Sequence, residues 1–133
     1  PKDGVWYNPV STLKGIIEKD NPEIFDYNIP QTLRDIYANG IAQGGAAAEK
    51  VKTQPVCFLA TNHTTGGNSG SPVINADGEL IGLNFDRVWE GTMSDLAFAP
   101  SFCRNITLDI RYLLFLVKEI GGAQWLIDEM LGQ

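Results

Sequence analysis

The sequence contains a single histidine, His63, and only two cysteines, Cys57 and Cys103, among its 133 residues. Neither cysteine has the spacing of a C-x-x-C redox pair or of a zinc ligand set, so metal and redox chemistry are not indicated. Both cysteines lie in apolar surroundings, and we predict two separate buried thiols rather than a disulfide. We expect no metal ion and no cofactor.

Basic residues are also few. The 10 Lys and Arg residues are outnumbered by 16 Asp and Glu residues, which gives a formal net charge of -6. Nucleic acids and anionic membranes are bound by clustered Lys and Arg, and the sequence has no such cluster. Apolar runs long enough to cross a bilayer are lacking too, and residues 1–4 do not resemble a signal peptide. These absences argue against nucleic-acid and membrane partners.

What the sequence does contain is the composition of one globular domain, with 44% hydrophobic and 20% charged residues. Because the chain starts without a methionine, inside sequence that looks structured, we expect a piece of a longer protein. Residues 1–50 are predicted to form a helical segment and linker that lead from a missing helical domain. Residues 51–133 are predicted to form a β-barrel portion with terminal helices.

The helical segment has two predicted helices. One follows a Ser or Thr cap at residues 11–12, and the other follows Pro30 and ends at Asn39-Gly40. The glycine- and alanine-rich residues 43–49 are predicted to be a loop. The charged residues of this segment are interpreted as a solvated face: Glu18, Lys19, Asp20, Arg34 and Asp35.

A glycine-rich stretch, Thr64–Val73, carries the strongest chemical signal and reads TTGGNSGSPV. It places the hydroxyl of Ser69 between Gly67 and Gly70, where the backbone can adopt positive φ and a substrate can approach closely. A glycine-rich loop without chemistry is the alternative. The length of the motif, and the strand-turn-strand pattern directly after it, favour Ser69 as a nucleophile.

Short strands separated by turns are predicted after residue 52. They cover residues 56–61, 71–75, 79–85 and 98–106, with a tight turn at residues 75–78. Two helices, at residues 109–120 and 123–131, follow. Four aromatic residues are predicted to lie in the core: Trp89, Tyr112, Phe115 and Trp125.

A serine loop followed by a hairpin resembles the nucleophile half of the chymotrypsin-like serine peptidases. The resemblance implies a mainly β fold with flanking helices (α+β), the C-terminal half of a chymotrypsin-like double β-barrel. It also implies that Ser69 attacks a carbonyl and that the N–H groups of Gly67 and Ser69 hold the oxyanion. The role of the Asn68 side chain is left open.

The catalytic base is not identified in the sequence. His63 lies six positions before Ser69 on the same segment, whereas the resemblance places the histidine and the aspartate far upstream of the serine. We interpret His63 as an ordinary exposed loop residue. The chain by itself is therefore expected to be nearly inactive.

An adjacent acid and base, Asp86 and Arg87, follow the hairpin, where each could bind one end of a peptide. Together with residues 91–95 and the C-terminal stretch 102–130, this pair makes the chain similar to the bacterial dipeptidyl-peptidase family. Within that family the chain most resembles the Asp/Glu-specific dipeptidyl-peptidase 11 type. The resemblance implies release of dipeptides from free N-termini. Asp86 would hold the substrate α-ammonium, and Arg87 would select Asp or Glu at P1.

Spacing alone gives the Asp86–Arg87 pair a second interpretation, an ion-pair network in which Arg87 meets Asp86, Glu90 or Asp95. Strict alternation along a strand would also send residues 86 and 87 to opposite faces. We predict that the backbone bends there, so that both side chains line one cleft.

Two other functions remain open from the sequence: a glutamyl-endopeptidase-like protease of the chymotrypsin fold, and a non-catalytic interaction module. The resemblance implies peptide partners with a free N-terminus and a periplasmic or cell-surface location. An apolar C-terminal helix could also support a homodimer.

Overall fold

The computed structural model describes residues 7–132, which form a sheet, several helices and short helical turns. The strands are β1 (Val10–Thr12), β2 (Pro55–Ala60), β3 (Pro72–Ile74), β4 (Leu80–Arg87) and β5 (Asn105–Asp109). The helices are α1 (Leu13–Glu18), α2 (Gln31–Gln43), α3 (Gly45–Thr53), α4 (Ile110–Phe115) and α5 (Gln124–Leu131). The short turns are the 3₁₀ segments Phe25–Tyr27 and Trp89–Asp95 and the π segment Leu116–Ile120.

The sheet has five antiparallel strands in the order β1-β2-β5-β4-β3. The strand β5 therefore lies between β2 and β4, although it comes last in the chain. This arrangement confirms the predicted fold of a β-sheet with flanking helices, and it is compatible with one half of a chymotrypsin-like double barrel. Strand β5 thus pairs directly with β4 of the β3–β4 hairpin.

The chain divides into two compact units. One holds residues 7–10 and Cys57–Ile110, and the other holds Ser11–Val56 and residues 111–132. The second unit thus contains the C-terminal helices together with the N-terminal ones. The division predicted at residue 50 stays a prediction. Ser69, Asp86 and Arg87 all belong to the first unit.

The first unit buries an unusual share of polar side chains. Along β5 the buried residues alternate with half-buried ones, and the buried ones are Asn105, Thr107 and Asp109. Apolar side chains that are as deeply buried in this unit are Val73 and Cys103. Because burying a polar group without a partner is costly, such a face is stable only when its groups are hydrogen-bonded.

The β3–β4 hairpin has the predicted strands and turn. Asn75 closes the turn, because its side-chain Oδ1 accepts hydrogen bonds from the backbone N–H groups of Asp77 (3.0 Å) and Glu79 (2.9 Å). Gly78 has a φ of 83°, a conformation that side chains disfavour. On β4, Gly82 lies so close to β5 that an added Cβ would collide with the backbone oxygen of Leu108.

In the second unit the predicted helix ends need two corrections. The first helix is capped as predicted, by Thr12, but α2 continues through Asn39-Gly40 to Gln43. Gly40 does not end α2; it lets α3 approach, since an added Cβ would lie 2.5 Å from Cγ1 of Val51. Residues 43–49 are not a loop, because Gly44, with φ of 70°, ends α2 and the alanine-rich segment after it starts α3.

Three further sequence predictions differ from the structure. The strand predicted at residues 98–106 begins only at Asn105, because the preceding residues form turns. Trp89 and Trp125 are not core residues, since they are 80% and 65% exposed. Each lies on a short helical segment that buries only one or two positions, whereas the predicted core residue Tyr112 is buried. Neither Cys57 nor Cys103 forms a disulfide, as predicted, but only Cys103 is buried and Cys57 is half-buried.

The predicted solvated face contains a partly buried ion pair. Arg34 on α2 donates from Nε to Oδ2 of Asp20 (2.6 Å) and from Nη2 to Oδ1 (2.8 Å), and the two side chains are only 25% and 17% exposed. Asp20 also accepts from the backbone N–H of Ile29. The pair fastens the end of α1 to the start of α2. The hydrogen bonds from Arg34 lower the pKa of Asp20.

We expect Asp20→Asn to unfold at a lower temperature than the wild type at pH 7. The pKa of Asp20 in the folded protein lies below its value in the unfolded chain. The pair therefore stabilises the fold fully at pH values above the ordinary carboxyl pKa of about 4. This stabilisation is lost as the pH falls through the lowered folded pKa. Thermal unfolding between pH 7 and pH 3 should therefore show the difference between the two proteins shrinking on the acid side.

The matched control is Glu18→Gln, which removes an exposed i,i+4 pair with Lys14. Exposed pairs of this kind contribute little, so the control should follow the wild type at every pH. A constant difference between Asp20→Asn and the wild type across the pH range would contradict the assignment.

Candidate active site

The loop that carries Ser69 is fixed by backbone hydrogen bonds at its base. The N–H of Gly70 donates to the carbonyl oxygen of Asn84 (2.7 Å), and the N–H of Asn84 donates to the carbonyl oxygen of Ser71 (2.9 Å). Within the loop, the N–H of Ser71 donates to the carbonyl oxygen of Asn68 (3.0 Å). The loop is therefore an extension of the β3–β4 pairing rather than an independent segment.

The side chain of Asn68, whose role the sequence left open, closes the loop on its other side. Its Oδ1 accepts from the backbone N–H of Thr65 at 2.8 Å, and the N–H of Asn68 donates to the carbonyl oxygen of Thr65 at 3.3 Å. The two bonds form a compact turn over residues 65–68. Gly67, inside this turn, has a φ of 97°, which only glycine adopts readily.

The backbone N–H groups of the loop fall into two sets. Those of Asn68, Gly70 and Ser71 each donate to a carbonyl oxygen, as described. Those of Gly67 and Ser69, the two predicted oxyanion donors, have no acceptor among residues 7–132. Both residues are exposed, so these N–H groups are accessible to a ligand. This pattern is what an oxyanion hole requires, because its donors must be unoccupied by the protein itself.

A chain of buried amides supports the loop from behind. Asn105, on β5, donates from Nδ2 to Oδ1 of Asn84 (3.0 Å), and Asn84 donates from its own Nδ2 to the carbonyl oxygen of Asn68 (3.1 Å). Asn84 is 5% exposed and Asn105 is 1% exposed. Nδ2 of Asn105 also donates to Oγ1 of the fully buried Thr107. These residues could not be identified from the sequence, because nothing in the local patterns of β4 and β5 predicts that their polar side chains face inward.

Strand β4 is irregular where it passes the loop. Asn84 pairs with Thr107 and Asp86 pairs with Ile106, so Phe85 is an extra residue in β4, as in a β-bulge. The bend predicted between Asp86 and Arg87 is not seen in the strand pairing, because these residues pair in regular register with Ile106 and Asn105, and the irregularity lies at Phe85. The carbonyl oxygen of Phe85 lies 3.5 Å from Oγ of Ser69, a long contact that leaves the exposed hydroxyl available to a base.

His63 lies against another part of the first unit. Its Nε2 is 3.1 Å from the carbonyl oxygen of Ser94, and its ring packs on Phe98 with 4.7 Å between centroids. Since Nε2 is engaged by Ser94, the geometry does not present it to Ser69 as a base. Ser69 thus has no basic partner of this kind among residues 7–132.

Arg87 does make the ion pair that spacing offered as the alternative interpretation, and its partner is Asp95. Nη1 donates to Oδ1 of Asp95 (2.9 Å) and to Oγ of Ser94 (2.7 Å), while Nη2 donates to Oδ2 of Asp95 (2.8 Å). The side chains of Arg87 and Asp95 are 21% and 47% exposed, so the pair is open to solvent on one side. The hydrogen bonds with Arg87 lower the pKa of Asp95. Nη1 of Arg87 also reaches the carbonyl oxygen of Thr64, at the start of the serine loop, at 3.5 Å.

The neighbouring residue Asp86 is exposed. Its Oδ1 accepts from the backbone N–H of Arg87 at 2.8 Å, which fixes the carboxylate relative to the bulge. A fixed, exposed carboxylate can bind a cation such as an ammonium group, but the binding roles of Asp86 and Arg87 stay predictions.

Neither metal nor membrane features occur in the part of the chain that the structure describes. No three His, Cys, Asp or Glu side chains come together there as metal ligands. None of its helices is long and apolar enough to cross a membrane. The chemistry available is that of a serine hydroxyl beside two unoccupied backbone donors.

A serine on a glycine-rich turn in front of an antiparallel hairpin is compatible with the nucleophile half of a chymotrypsin-like serine peptidase. Comparison with known proteins gives the family. The profile of the peptidase S46 family matches residues 1–132, and the chain belongs to this family.

Curated relatives are similar over nearly the whole chain. An Asp/Glu-specific dipeptidyl-peptidase from Flavobacterium psychrophilum is 55% identical over 130 residues, which cover 98% of this chain and 18% of the relative. A dipeptidyl-peptidase 7 from Phocaeicola vulgatus is 47% identical over 130 residues, with the same coverage. The chain thus spans about 18% of the length of the curated relatives that it matches.

Solved structures agree with the sequence comparison. The crystal structure of Porphyromonas endodontalis DPP11 in complex with substrate superposes with a TM-score of 0.87 at 49% identity, covering 98% of this chain and 19% of that one. The same enzyme in complex with the dipeptide Arg-Asp gives a TM-score of 0.84 at 48% identity, covering 97% and 18%.

The amide chain predicts the effect of Asn84→Asp. This isosteric change keeps an acceptor for Asn105 but replaces the donor to Asn68 by an oxygen, so two oxygens face each other in a buried position. We expect a loss of about 1–3 kcal/mol of stability and, in the longer protein that contains this chain, slower modification of Ser69 by a fluorophosphonate. Thermal unfolding and the rate of labelling measure the two effects.

Asn62→Asp makes the same chemical change at an exposed position and serves as the control. It should leave both quantities close to the wild type. If Asn84→Asp unfolds and labels like the control, the amide chain does not hold the loop.

Proposed function

We propose that this chain is the part of a longer serine dipeptidyl peptidase that carries the nucleophile and the substrate-selecting residues. The observation that supports this most strongly is the state of the serine loop. Ser69 is exposed, and the N–H groups of Gly67 and Ser69 have no acceptor in the described residues. The N–H groups of the neighbouring Asn68, Gly70 and Ser71 each donate to a carbonyl oxygen. Membership of the peptidase S46 family makes a peptidase the natural assignment for such a loop.

The proposed reaction is acyl transfer to Ser69. The hydroxyl oxygen attacks the carbonyl carbon of the second substrate residue (P1), and the two N–H groups stabilise the negative oxygen that forms. The peptide bond to the third residue then breaks, its nitrogen leaves with the proton taken from Ser69, and water releases the dipeptide from the ester. One such donor typically contributes about 2.7–4 kcal/mol to the transition state. A base must take the proton from Ser69, and we propose that it comes, with its orienting carboxylate, from the longer protein. The chain alone would then be nearly inactive.

Substrate selection is proposed to lie in the Asp86–Arg87 pair. Asp86 would bind the α-ammonium of a free N-terminus, and Arg87 would bind an Asp or Glu side chain at P1. Charge-assisted bonds of this kind are each worth about 1.5–3 kcal/mol, enough to decide between substrates. Sequence identity alone does not distinguish the two substrate preferences. The 47% identity with a dipeptidyl-peptidase 7 falls within the 46–55% shared with Asp/Glu-specific relatives. The periplasmic or cell-surface location stays a prediction.

The nucleophile is tested by labelling. We expect a fluorophosphonate to modify the longer protein that contains this chain and Ser69→Ala to abolish the modification, because the Ser69 hydroxyl lies beside the two loop N–H groups that have no acceptor among residues 7–132. Mass spectrometry of the labelled peptide identifies the site. Ser71→Ala, a neighbouring serine in the same loop, is the matched control and should still be labelled.

If the wild-type longer protein is not labelled, the peptidase assignment fails and a non-catalytic module is favoured. Label found on a residue other than Ser69 would reject the nucleophile while leaving the class of enzyme intact.

The selector is tested by Arg87→Lys. Lysine keeps the charge but lacks the planar fork that holds a carboxylate with two bonds, so kcat/KM for peptides with Asp or Glu at P1 should fall by roughly tenfold or more. Peptides with Asn or Gln at P1 should be much less affected. Steady-state kinetics with both substrate sets gives the ratio.

The same peptides with a blocked N-terminus separate this proposal from a glutamyl endopeptidase. A dipeptidyl peptidase should lose its activity on them, because Asp86 no longer meets an ammonium group. Equal activity on blocked and free peptides would favour the endopeptidase.

A further inference from the structure

We infer that Asp95 is a positioning residue for substrate specificity: it holds one edge of the Arg87 guanidinium so that the other edge receives the P1 carboxylate. The inference rests on the proposed function, in which Arg87 selects an acidic P1 side chain. It concerns a residue eight positions further along the chain, on the 3₁₀ segment Trp89–Asp95.

Arg87 has more N–H donors than the described residues use. A guanidinium has five N–H donors, two on each Nη and one on Nε. Both Nη1 hydrogens are taken, by Oγ of Ser94 (2.7 Å) and Oδ1 of Asp95 (2.9 Å), and one Nη2 hydrogen is taken by Oδ2 of Asp95 (2.8 Å). The second Nη2 hydrogen and the Nε hydrogen have no acceptor among residues 7–132. These two donors share one edge of the guanidinium, and a carboxylate can bind such an edge with two parallel bonds.

The partners of Arg87 are themselves held in place. The carbonyl oxygen of Ser94 is engaged by Nε2 of His63 at 3.1 Å, and the Ser94 side chain is 5% exposed. Asp95 thus follows a buried, fixed residue, although its own side chain is 47% exposed. An arginine side chain has several rotatable bonds, and fixing it before the substrate arrives reduces the entropy that binding costs.

Asp95 also places a negative charge beside the proposed carboxylate site. The direction in which its removal changes substrate binding therefore distinguishes two roles. If Asp95 only weakened the positive charge of Arg87, its removal would strengthen binding of an acidic P1 side chain. If it positions Arg87, its removal allows the guanidinium to rotate and weakens that binding. We expect the second result, because two bonds to Asp95 and one to Ser94 determine the orientation of Arg87.

The experiment measures kcat and KM of the longer protein for dipeptidyl substrates with Asp or Glu and with Asn or Gln at P1. For Asp95→Asn, we expect the acidic-to-neutral ratio of kcat/KM to fall by roughly tenfold, mainly through a higher KM for acidic substrates. Asp95→Glu retains a carboxylate that can reach Arg87 and should recover part of the ratio. Asp77→Asn, which changes an exposed carboxylate in the β3–β4 turn, is the control and should leave the ratio unchanged.

Arg87→Ala in the same assay tests the proposed specificity separately from the positioning role of Asp95. If Arg87→Ala does not lower the acidic-to-neutral ratio, Arg87 is not the selector and the proposed specificity is wrong. If Arg87→Ala lowers the ratio but Asp95→Asn leaves it unchanged or raises it, the proposed specificity holds and the positioning role of Asp95 is overturned. A thermal unfolding curve for each variant ensures that the ratios compare folded proteins.

Discussion

The buried amide chain from Asn105 through Asn84 to the carbonyl oxygen of Asn68 is the interaction on which the site depends. Burying a carboxamide is costly unless its polar atoms are bonded. Both ends of the Asn84 amide and Nδ2 of Asn105 have partners, whereas Oδ1 of Asn105 has none among residues 7–132. The last of those partners is the backbone of the serine loop. The loop is therefore held by the sheet, and its shape does not rely on its own glycines alone.

The β-bulge at Phe85 connects the nucleophile with the specificity residues. It lies between Asn84, which holds the loop, and Asp86 and Arg87, which are proposed to bind the two charged groups of the substrate. A regular strand would point neighbouring side chains to opposite faces. The extra residue changes the alternation between Asn84 and Asp86, whereas Asp86 and Arg87 pair in regular register. Strand β4 thus carries both the residue that holds the loop and the residues proposed to bind substrate.

Arg87 shows that a structural role and a functional role do not exclude each other. The ion pair with Asp95, which spacing offered as the competing interpretation, is present, and yet it uses only part of the donors of the guanidinium. A half-exposed pair can hold an arginine in a fixed orientation and still leave an edge for a ligand. A fully buried and fully bonded arginine could not bind a substrate in this way.

The sequence by itself determined the serine loop, the hairpin with its Asn75–Gly78 turn and the positions of most helices, because these depend on local patterns of glycine, proline and apolar spacing. It misplaced the end of α2 and treated Asp20 and Arg34 as solvated, since Gly40 and these charges take their roles from α3 and from each other. Only the tertiary structure decided that Asn84 and Asn105 support the loop and that Asp95 holds Arg87. Those pairs are joined by a strand order and a bulge that no local pattern encodes.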